Sequence, residues 1–410
     1  MDNKWFEHAI IYHILIDRFA GFATLQDSGT ARNAELPDPD KPVFCGGNLR
    51  GIIEKLQYIK DLGTDAIMLS PFNATTEYHG YHITDYFSVE PGFGTIEDLR
   101  ELTSHAHAMG LRVIADFVPN HCSKEHPFFR AAQGAGEGTG IGADYRDWFF
   151  FTRWPDRYRA FFDFMDLPKI NLDHPPARRY LIDSALYWMK QGIDGFRIDH
   201  VVGVSQDFLK QLCLEVKAVN PEAVLMGEAW ITNPPFRFLP LLRLRKKYLR
   251  RFFARITQEA VQLEYAGLLD GALDFSARDL FIRHIAYKPE RESDAHAFLE
   301  KLRKHNGKYP DNFFLPVFLD NHDTNRFLFE CGNDIDRLKR ALALLLGLDQ
   351  AVILYYGTES GMTQQQPVKT GIPFSDLAAR GKMNWNNTNK ELLYYVKLLI
   401  MMRRERLMRE

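Results

Sequence analysis

The chain has few cysteines, almost no net charge and no long apolar run, and each shortage argues against a class of protein. Four cysteines in 410 residues, none in CxxC spacing, supply no disulfide framework and favour a reducing compartment. Lys and Arg number 51 against 53 acidic residues, so nothing favours a nucleic acid or an anionic membrane as partner. No apolar run approaches the roughly 20 residues of a membrane span. We therefore expect a cytoplasmic protein with a neutral substrate.

One basic stretch, RLRKKYLRRFFAR at residues 243–255, departs from this balance. A nucleic-acid site would need such a run together with a recognisable binding motif, and none accompanies it. We interpret the stretch as the solvated face of a helix.

Eight short segments rich in β-branched and aromatic residues alternate with amphipathic helical patterns. They cover residues 9–19, 65–71, 112–118, 195–199, 224–230, 271–277, 313–320 and 351–357. Alternation of strands and helices indicates a parallel sheet covered by helices. Eight such units favour a closed (β/α)8 TIM barrel, an α/β fold, over an open sheet, and no glycine-rich nucleotide-binding motif follows any strand.

The connection after the third predicted strand is too long for an ordinary loop. About 50 residues lie between His121 and His174, where loops longer than about 15 residues are uncommon. We predict a barrel built from residues 1–121 and 175–410, with a subdomain at 122–174 inserted after the third strand. Its aromatic residues form a small core of their own, or a few of them, such as Trp148 and Trp154, line a sugar-binding cleft.

Acidic side chains recur where the predicted strands end. In GFRIDH, residues 195–200, strand alternation places the side chains of Arg197 and Asp199 on the same side of the strand. Asp116, Glu228 and Asp323 end or follow three other strands, and active sites of such barrels gather at the carboxyl ends of the strands. We therefore predict that these carboxylates meet at one end of the barrel.

A single acidic residue at a strand end is often only a helix cap or an ion-pair partner. Several converging carboxylates with an Arg and two histidines, His121 and His322, are costly to bury without a functional reason. Metal-site patterns such as HExxH or DxDxDG are absent from the sequence. Paired carboxylates around a neutral substrate instead suggest glycoside hydrolysis, with one group ionised and one protonated.

Four segments also resemble, in order, the signature regions of the α-amylase family, family 13 of the glycoside hydrolases. They are DFVPNH at 116–121, GFRID at 195–199, GEAW at 227–230 and FLDNHD at 318–323. YHGYHITDY, LPKIN and YYGTE resemble its secondary signatures, and the resemblance spans residues 9 to 403. It implies a retaining hydrolase of α-1,4-glucosidic bonds in α-glucans or maltooligosaccharides, similar to an α-amylase or a maltogenic amylase. A glucanotransferase or disaccharide isomerase with the same site, or a non-catalytic carbohydrate-binding protein, are the alternatives.

The resemblance implies a role for each matching residue. Asp199 would be the nucleophile, kept ionised by Arg197, and Glu228 would be the acid and then the base. Asp323 would hold sugar hydroxyls and stabilise the transition state. The resemblance further implies that His121 and His322 bind the same sugar ring, that Tyr81 stacks beneath it and that Asp116 supports the site.

The sequence departs from the family pattern at two places. Many relatives carry a Lys-His pair where Val202 and Gly203 stand here, so neither the acceptor contact of that Lys nor the calcium contact of that His carries over. Asn120 remains a candidate calcium ligand, and we expect no required cofactor. The chain also ends where the family continues into a β-sandwich, so either this member lacks that domain, as we expect, or the sequence is truncated before it.

His200 follows the candidate nucleophile directly. If the strand continues to this residue, alternation turns its imidazole behind the strand, where it packs or forms hydrogen bonds. If the strand geometry breaks before it, the imidazole reaches the acceptor side of the site. The two readings place His200 on opposite sides of the strand.

Overall fold

A computed structural model describes residues 4–21, 43–134, 145–162, 164–231, 257–287, 292–369, 372 and 374–409, and the statements below concern these residues. The basic stretch at 243–255 and most of the glycine-rich run at 133–144 lie outside the described residues. No helix in the described part of the chain has the length and apolar character needed to cross a membrane.

Eight parallel strands form one sheet, and each lies within one of the eight predicted segments. They are β1 Ile10–Ile14, β2 Ala66–Leu69, β5 Arg112–Phe117, β10 Gly195–Ile198, β11 Val224–Gly227, β12 Gly271–Ala272, β13 Val317–Phe318 and β14 Val352–Tyr355. Their order in the sheet is β12-β11-β10-β5-β2-β1-β14-β13. All the pairings are parallel, as strand-helix alternation predicts.

The two ends of this sheet meet beside Gly271. A parallel bridge pairs Gly271 with Phe314, just before β13, and the Ala272 amide donates to the Phe314 carbonyl at 3.0 Å. The Phe314 amide in turn donates to the Asp270 carbonyl at 2.8 Å. The curled sheet is therefore consistent with the predicted (β/α)8 barrel, and the fold class is confirmed.

Alternate strand residues pack into two separate apolar clusters. One cluster lies inside the sheet and includes Met68, Ile114, Met226, Phe318 and Ile353. The larger cluster joins the other strand faces to the surrounding helices. Because a barrel strand is buried on both faces, its sequence is a continuous apolar run, and a charged residue within it stands out.

Thirteen α-helices are described, and most of them cover the outside of the sheet. They are α1 Lys4–Glu7, α2 Ile16–Phe19, α3 Leu49–Leu62, α4 Ile96–Ala108, α5 Pro127–Ala132, α6 Pro175–Met189, α7 Gln206–Val219, α8 Gln258–Leu263, α9 Phe275–Phe281, α10 Glu292–Asn306, α11 Phe327–Glu330, α12 Ile335–Leu346 and α13 Lys390–Leu407. Side-chain caps start several of them. Asn48 accepts from the Gly51 amide at α3, and Thr95 forms a capping box with Asp98 at α4.

The predicted sixth strand was too long. It was expected over 271–277, but β12 ends at Ala272 and α9 begins at Phe275. The Asp274 side chain accepts a hydrogen bond from the Ala277 amide at 2.9 Å and starts the helix there. Because Asp274 caps a helix within the apolar run, the strand ends two residues before this cap.

Short elements that do not belong to the eight-stranded sheet lie near the carboxyl ends of β2 and β5. Strands β3 Asn73–Thr75 and β4 Ile83–Val89 pair after β2. After β5 the chain forms α5 and four short strands, β6 Phe151–Arg153, β7 Arg157–Tyr158, β8 Ala160–Phe161 and β9 Phe164–Pro168. These strands pair as β6 with β7 and β8 with β9, within the segment predicted as an inserted subdomain.

Candidate active site

Arg197 occupies the centre of the candidate site and is only 1% exposed. It lies on β10 directly opposite Asp116 on β5 and Met226 on β11, so its side chain points into the sheet interior. Its Nη1 donates to both carboxylate oxygens of Asp116 and to Oδ1 of Asp199, each at 2.8 Å. The guanidinium is therefore held between the two carboxylates that the sequence predicts to meet there.

Glu228 follows β11 and completes a group of three acids around Arg197. Its Oε1 lies 2.9 Å from Arg197 Nη2, an ion-pair distance, but no N–H of Nη2 is aimed at it as a hydrogen bond. Its Oε2 accepts from the backbone amide of His200 at 3.1 Å. Arg197 thus gives aligned hydrogen bonds to Asp116 and Asp199, while Glu228 receives one from a neutral amide.

Burial raises the pKa of all three acids. Burial is the largest cause for Asp116, Asp199 and Glu228, and for Asp199 the neighbouring carboxylates add to it. The Arg197 guanidinium lowers the pKa of Asp199, the direction that sequence reasoning expected, although burial is the larger effect on this pKa. One guanidinium cannot balance the charge of three carboxylates, so the three acids do not all ionise together. Because charged hydrogen bonds favour the ionised form, Glu228, which receives none, is the best holder of a proton.

Asp323 has the opposite electrostatics. Burial opposes its ionisation, but the neighbouring His322 and Arg380 outweigh this and hold its pKa well below the usual range. Its Oδ2 lies 2.9 Å from His322 Nε2, and its Oδ1 accepts from Arg380 Nη2 at 2.9 Å. Asp323 is therefore an anion at working pH.

Tyr81 joins the two halves of the site. Its hydroxyl donates to Asp116 Oδ2 at 2.7 Å and lies 2.7 Å from His322 Nε2. The Tyr81 and His322 rings are nearly parallel, with centroids 5.4 Å apart. One network consequently runs from Asp199 through Arg197, Asp116, Tyr81 and His322 to Asp323.

His121 and His200 lie on either side of an aromatic residue of the segment after β5. The Phe161 ring is 4.6 Å from the His121 ring and 4.8 Å from the His200 ring, centroid to centroid. Burial lowers the pKa of His121 well below its usual value and that of His200 to about 4, so both imidazoles are neutral at neutral pH.

Strand β10 ends at Ile198, before His200. His200 has a left-handed backbone with φ 40°, and its ring contacts Phe161 and Phe162 instead of packing behind the strand. The prediction from strand alternation was therefore wrong for this residue. Alternation applies only while the extended backbone continues, and here the backbone turns directly after the strand.

The surroundings of Asn120 do not fit a calcium ion. Its Oδ1 is buried without a hydrogen-bond partner in the described part of the chain and lies against Gly203. An unpartnered amide oxygen suits a hard cation, but Lys169 Nζ already donates to the Gly203 carbonyl at 2.6 Å. An ammonium group that already binds the Gly203 carbonyl repels a second cation there. Among the described residues, no cluster of three or more His, Cys, Asp or Glu side chains is arranged to hold a metal ion.

Sequence reasoning missed Arg380 and did not single out Phe161 among the aromatic residues of the inserted segment. Arg380 follows β14, forms an ion pair with Asp376 at 2.7 Å and donates from Nε to the His322 carbonyl at 2.8 Å. The i,i+4 spacing of Asp376 and Arg380 in the sequence was an available signal. Trp148 packs on Phe128, Tyr145 and Tyr180, and the Trp154 indole donates to the Ala132 carbonyl. Phe161, not these tryptophans, contacts the site histidines.

The model of the alpha-amylase catalytic domain matches residues 14–396. Among curated proteins, the chain is 33% identical over 407 residues to alpha-amylase 2 of Dictyoglomus thermophilum, covering 98% of this chain and 64% of that protein. It is 30% identical over 414 residues to the intracellular maltogenic amylase of Bacillus subtilis strain 168, covering 98% of this chain and 62% of that protein. The chain therefore spans slightly less than two thirds of the length of these relatives.

Among solved structures, the chain is similar to the cyclic alpha-maltosyl-(1→6)-maltose hydrolase from Arthrobacter globiformis in complex with maltose. The TM-score is 0.80 at 27% sequence identity, over 97% of this chain and 83% of that one. Sequence and structure comparisons thus point to the same group of carbohydrate-active proteins.

Proposed function

The chain belongs to the alpha-amylase family, and we propose on this basis that it hydrolyses α-1,4-glucosidic bonds with retention of anomeric configuration. The observation that carries the proposal is the position of Arg197, which is within 2.9 Å of both Asp199 and Glu228. One cation thus holds two carboxyl groups in unequal hydrogen-bonding environments, as acid and nucleophile require.

In the first step the Asp199 carboxylate attacks the anomeric carbon. Asp199 Oδ1 is held by Arg197, while its Oδ2 has no hydrogen-bond partner within the described residues and is available for the attack. The bond between the anomeric carbon and the glycosidic oxygen breaks as Glu228 transfers its proton to that oxygen. The products of this step are a glycosyl ester on Asp199 and a sugar with a free hydroxyl group.

In the second step Glu228, now ionised, takes a proton from water, and the water oxygen attacks the anomeric carbon. The ester bond breaks and Asp199 is released as a carboxylate, so two inversions give net retention. Positive charge develops on the sugar ring in both steps. Asp323, kept anionic by His322 and Arg380, stabilises that charge and binds sugar hydroxyls.

The substrate class that the site supports best is a maltooligosaccharide or a related α-glucan. The relatives are named alpha-amylase and maltogenic amylase, which supports a substrate built from maltose units. The name of the Bacillus subtilis relative, an intracellular enzyme, supports a cytoplasmic location. The ammonium group of Lys169, which donates to the Gly203 carbonyl, supports activity without calcium.

Incubation with maltotriose tests this proposal and separates it from its main alternative. Hydrolysis yields glucose and maltose, and the first-formed product keeps the α-configuration, which proton NMR detects before mutarotation. Oligosaccharides longer than maltotriose would instead identify a transferase with the same site. A first product in the β-configuration would overturn the proposed retaining mechanism.

A further inference from the structure

Helix α13 is apolar on two opposite faces. It packs against α3 and α12, and the residues of its inner face are buried: Leu392, Val396, Ile400 and Arg403. On the outer face Tyr394, Met401 and Met408 are 70%, 50% and 78% exposed. They stand seven positions apart, which places them in one line on the side of the helix opposite the buried residues. We call these three residues the outer stripe. A helix that is apolar on both faces is typically covered on both.

The outer stripe has a basic flank and a largely acidic flank. Four positions before each stripe residue stands a basic residue, and these are Lys390, Lys397 and Arg404. Three positions before each stripe residue stand Glu391, Leu398 and Glu405. On a helix the positions three and four residues earlier lie on opposite sides of a given residue, so the two sets form separate flanks along the stripe.

Two of these charged residues are held by neighbouring elements. Lys339 Nζ on α12 donates to Glu391 Oε1 at 2.5 Å, and Arg404 Nη2 donates to Asp65 Oδ1 at 2.6 Å. Lys390, Lys397 and Glu405 have no ion-pair partner within the part of the chain that the structure describes. The flanks are therefore fixed in place and keep charge that a partner can pair.

The charges on the flanks select one way of pairing this helix with a second copy of itself. When two α13 helices run parallel about a twofold axis, the basic flank of each copy meets the acidic flank of the other. Lys390 then approaches Glu391 of the second copy, and Arg404 approaches Glu405 of the second copy, each pair occurring twice. In an antiparallel pair like flanks meet, which brings Glu391 against Glu405 and Lys397 against its own equivalent, and both contacts are repulsive. Parallel pairing is therefore the arrangement in which the charges are complementary.

We propose that the outer stripe is the interface of a symmetric dimer, in which two copies of this chain pair through parallel α13 helices. In this arrangement each stripe residue meets its own equivalent, as in a parallel coiled coil with a seven-residue repeat. Tyr and Met side chains suit such a surface, because both are enriched at protein interfaces. The helix has 18 residues and is about 27 Å long, so the interface is small and we expect a dissociation constant in the micromolar range. No residue of the stripe belongs to the candidate active site, so the inference stands apart from the proposed function.

Sedimentation velocity over protein concentrations from about 1 to about 200 μM tests whether the dimer forms. We expect the wild type to pass from monomer to dimer in this range. Met401→Glu places two carboxylates opposite each other at the centre of the stripe and should raise the dissociation constant by about tenfold or more. Leu214→Glu, which adds the same charge at an exposed apolar residue of α7, should leave the dissociation constant within about twofold of the wild type.

Cross-linking tests the parallel arrangement. A disulfide requires Cα atoms within about 7 Å, so Met401→Cys should link to its own equivalent in the second copy under mild oxidation with diamide. Met402→Cys is the matched control, because its neighbouring methionine is similarly exposed but lies off the stripe. Wild type treated in the same way gives the background from the four native cysteines.

Three results would overturn the inference. The first is a wild type that stays monomeric throughout the concentration range, which would leave the stripe to another segment of the chain or to a different protein. The second is a dimer that Met401→Glu, folded by its melting temperature, does not weaken. The third is cross-linking of Met402→Cys as complete as that of Met401→Cys, or no cross-linking of Met401→Cys, since an antiparallel pair joins position 401 to position 394 instead.

Discussion

Replacing Glu228 by Gln removes the acid while preserving the shape of the site. In the wild type the His200 amide nitrogen lies 3.1 Å from Glu228 Oε2. A Gln side chain can still accept this hydrogen bond, but it carries no acidic proton to transfer. Protonation of the leaving group contributes about 10² to 10⁴ in rate, equivalent to about 3 to 5.5 kcal/mol of barrier. We therefore expect turnover of maltotriose to fall by that factor.

The loss should depend on the leaving group. Fluoride leaves without a full proton transfer, so the first step with α-maltosyl fluoride should retain a rate within about tenfold of the wild type, measured as the burst of fluoride release. Stability should not fall, because the substitution removes one of three acids crowded around a single guanidinium. Glu300→Gln, an exposed change on α10, controls for loss of a surface charge. Equal losses with maltotriose and with the fluoride, in a folded variant, would refute the assignment of Glu228 as the acid.

Three further predictions follow from the electrostatics of the site. Since burial raises the pKa of Glu228 in the folded state, its contribution to stability is most favourable below its unfolded pKa of about 4.3 and declines as pH rises through the folded pKa. The melting temperature of Glu228→Gln should consequently rise relative to that of the wild type as pH increases above 5. Parallel curves of melting temperature against pH would contradict this. Arg380→Met should raise the pKa of Asp323, moving the acidic limb of the pH profile of kcat/KM to higher pH, whereas an unmoved limb would mean that Arg380 is only structural. The melting temperature of the wild type should be unchanged by EDTA, and Lys169→Met should lower it, because the Lys169 ammonium group and not calcium binds the Gly203 carbonyl. A drop of the melting temperature in EDTA that calcium reverses would contradict this role of Lys169.

Sequence reasoning identified the parts of the site that depend on strand geometry. Arg197 and Asp199 were placed together because they alternate along one strand, and the structure joins them at 2.8 Å. Asp116 was predicted to join them because parallel strands end at one edge, and its register opposite Arg197 fulfils that condition. Such inferences succeed because the strand period is local and regular.

The residues that sequence reasoning missed depend on loops and on long-range contacts. His200 was misplaced because β10 ends at Ile198, and the end of a strand is weakly encoded. Arg380 reaches Asp323 across 57 positions of sequence, so no local pattern predicts their contact. Phe162 lies in a short irregular segment whose aromatic composition fits a small core equally well. Its exposure and its contact with His200 become visible only in three dimensions.

Covalent trapping on Asp199 tests the central claim most directly. Glu228→Gln treated with 5-fluoro-α-glucosyl fluoride should accumulate the glycosyl ester, because the first step needs no acid and the second lacks its base. Mass spectrometry of the digested protein should find one added fluoroglucosyl group on the peptide that contains Asp199, and Asp199→Asn should abolish it. A modified peptide elsewhere in the chain, or turnover with inversion and no adduct, would contradict the account.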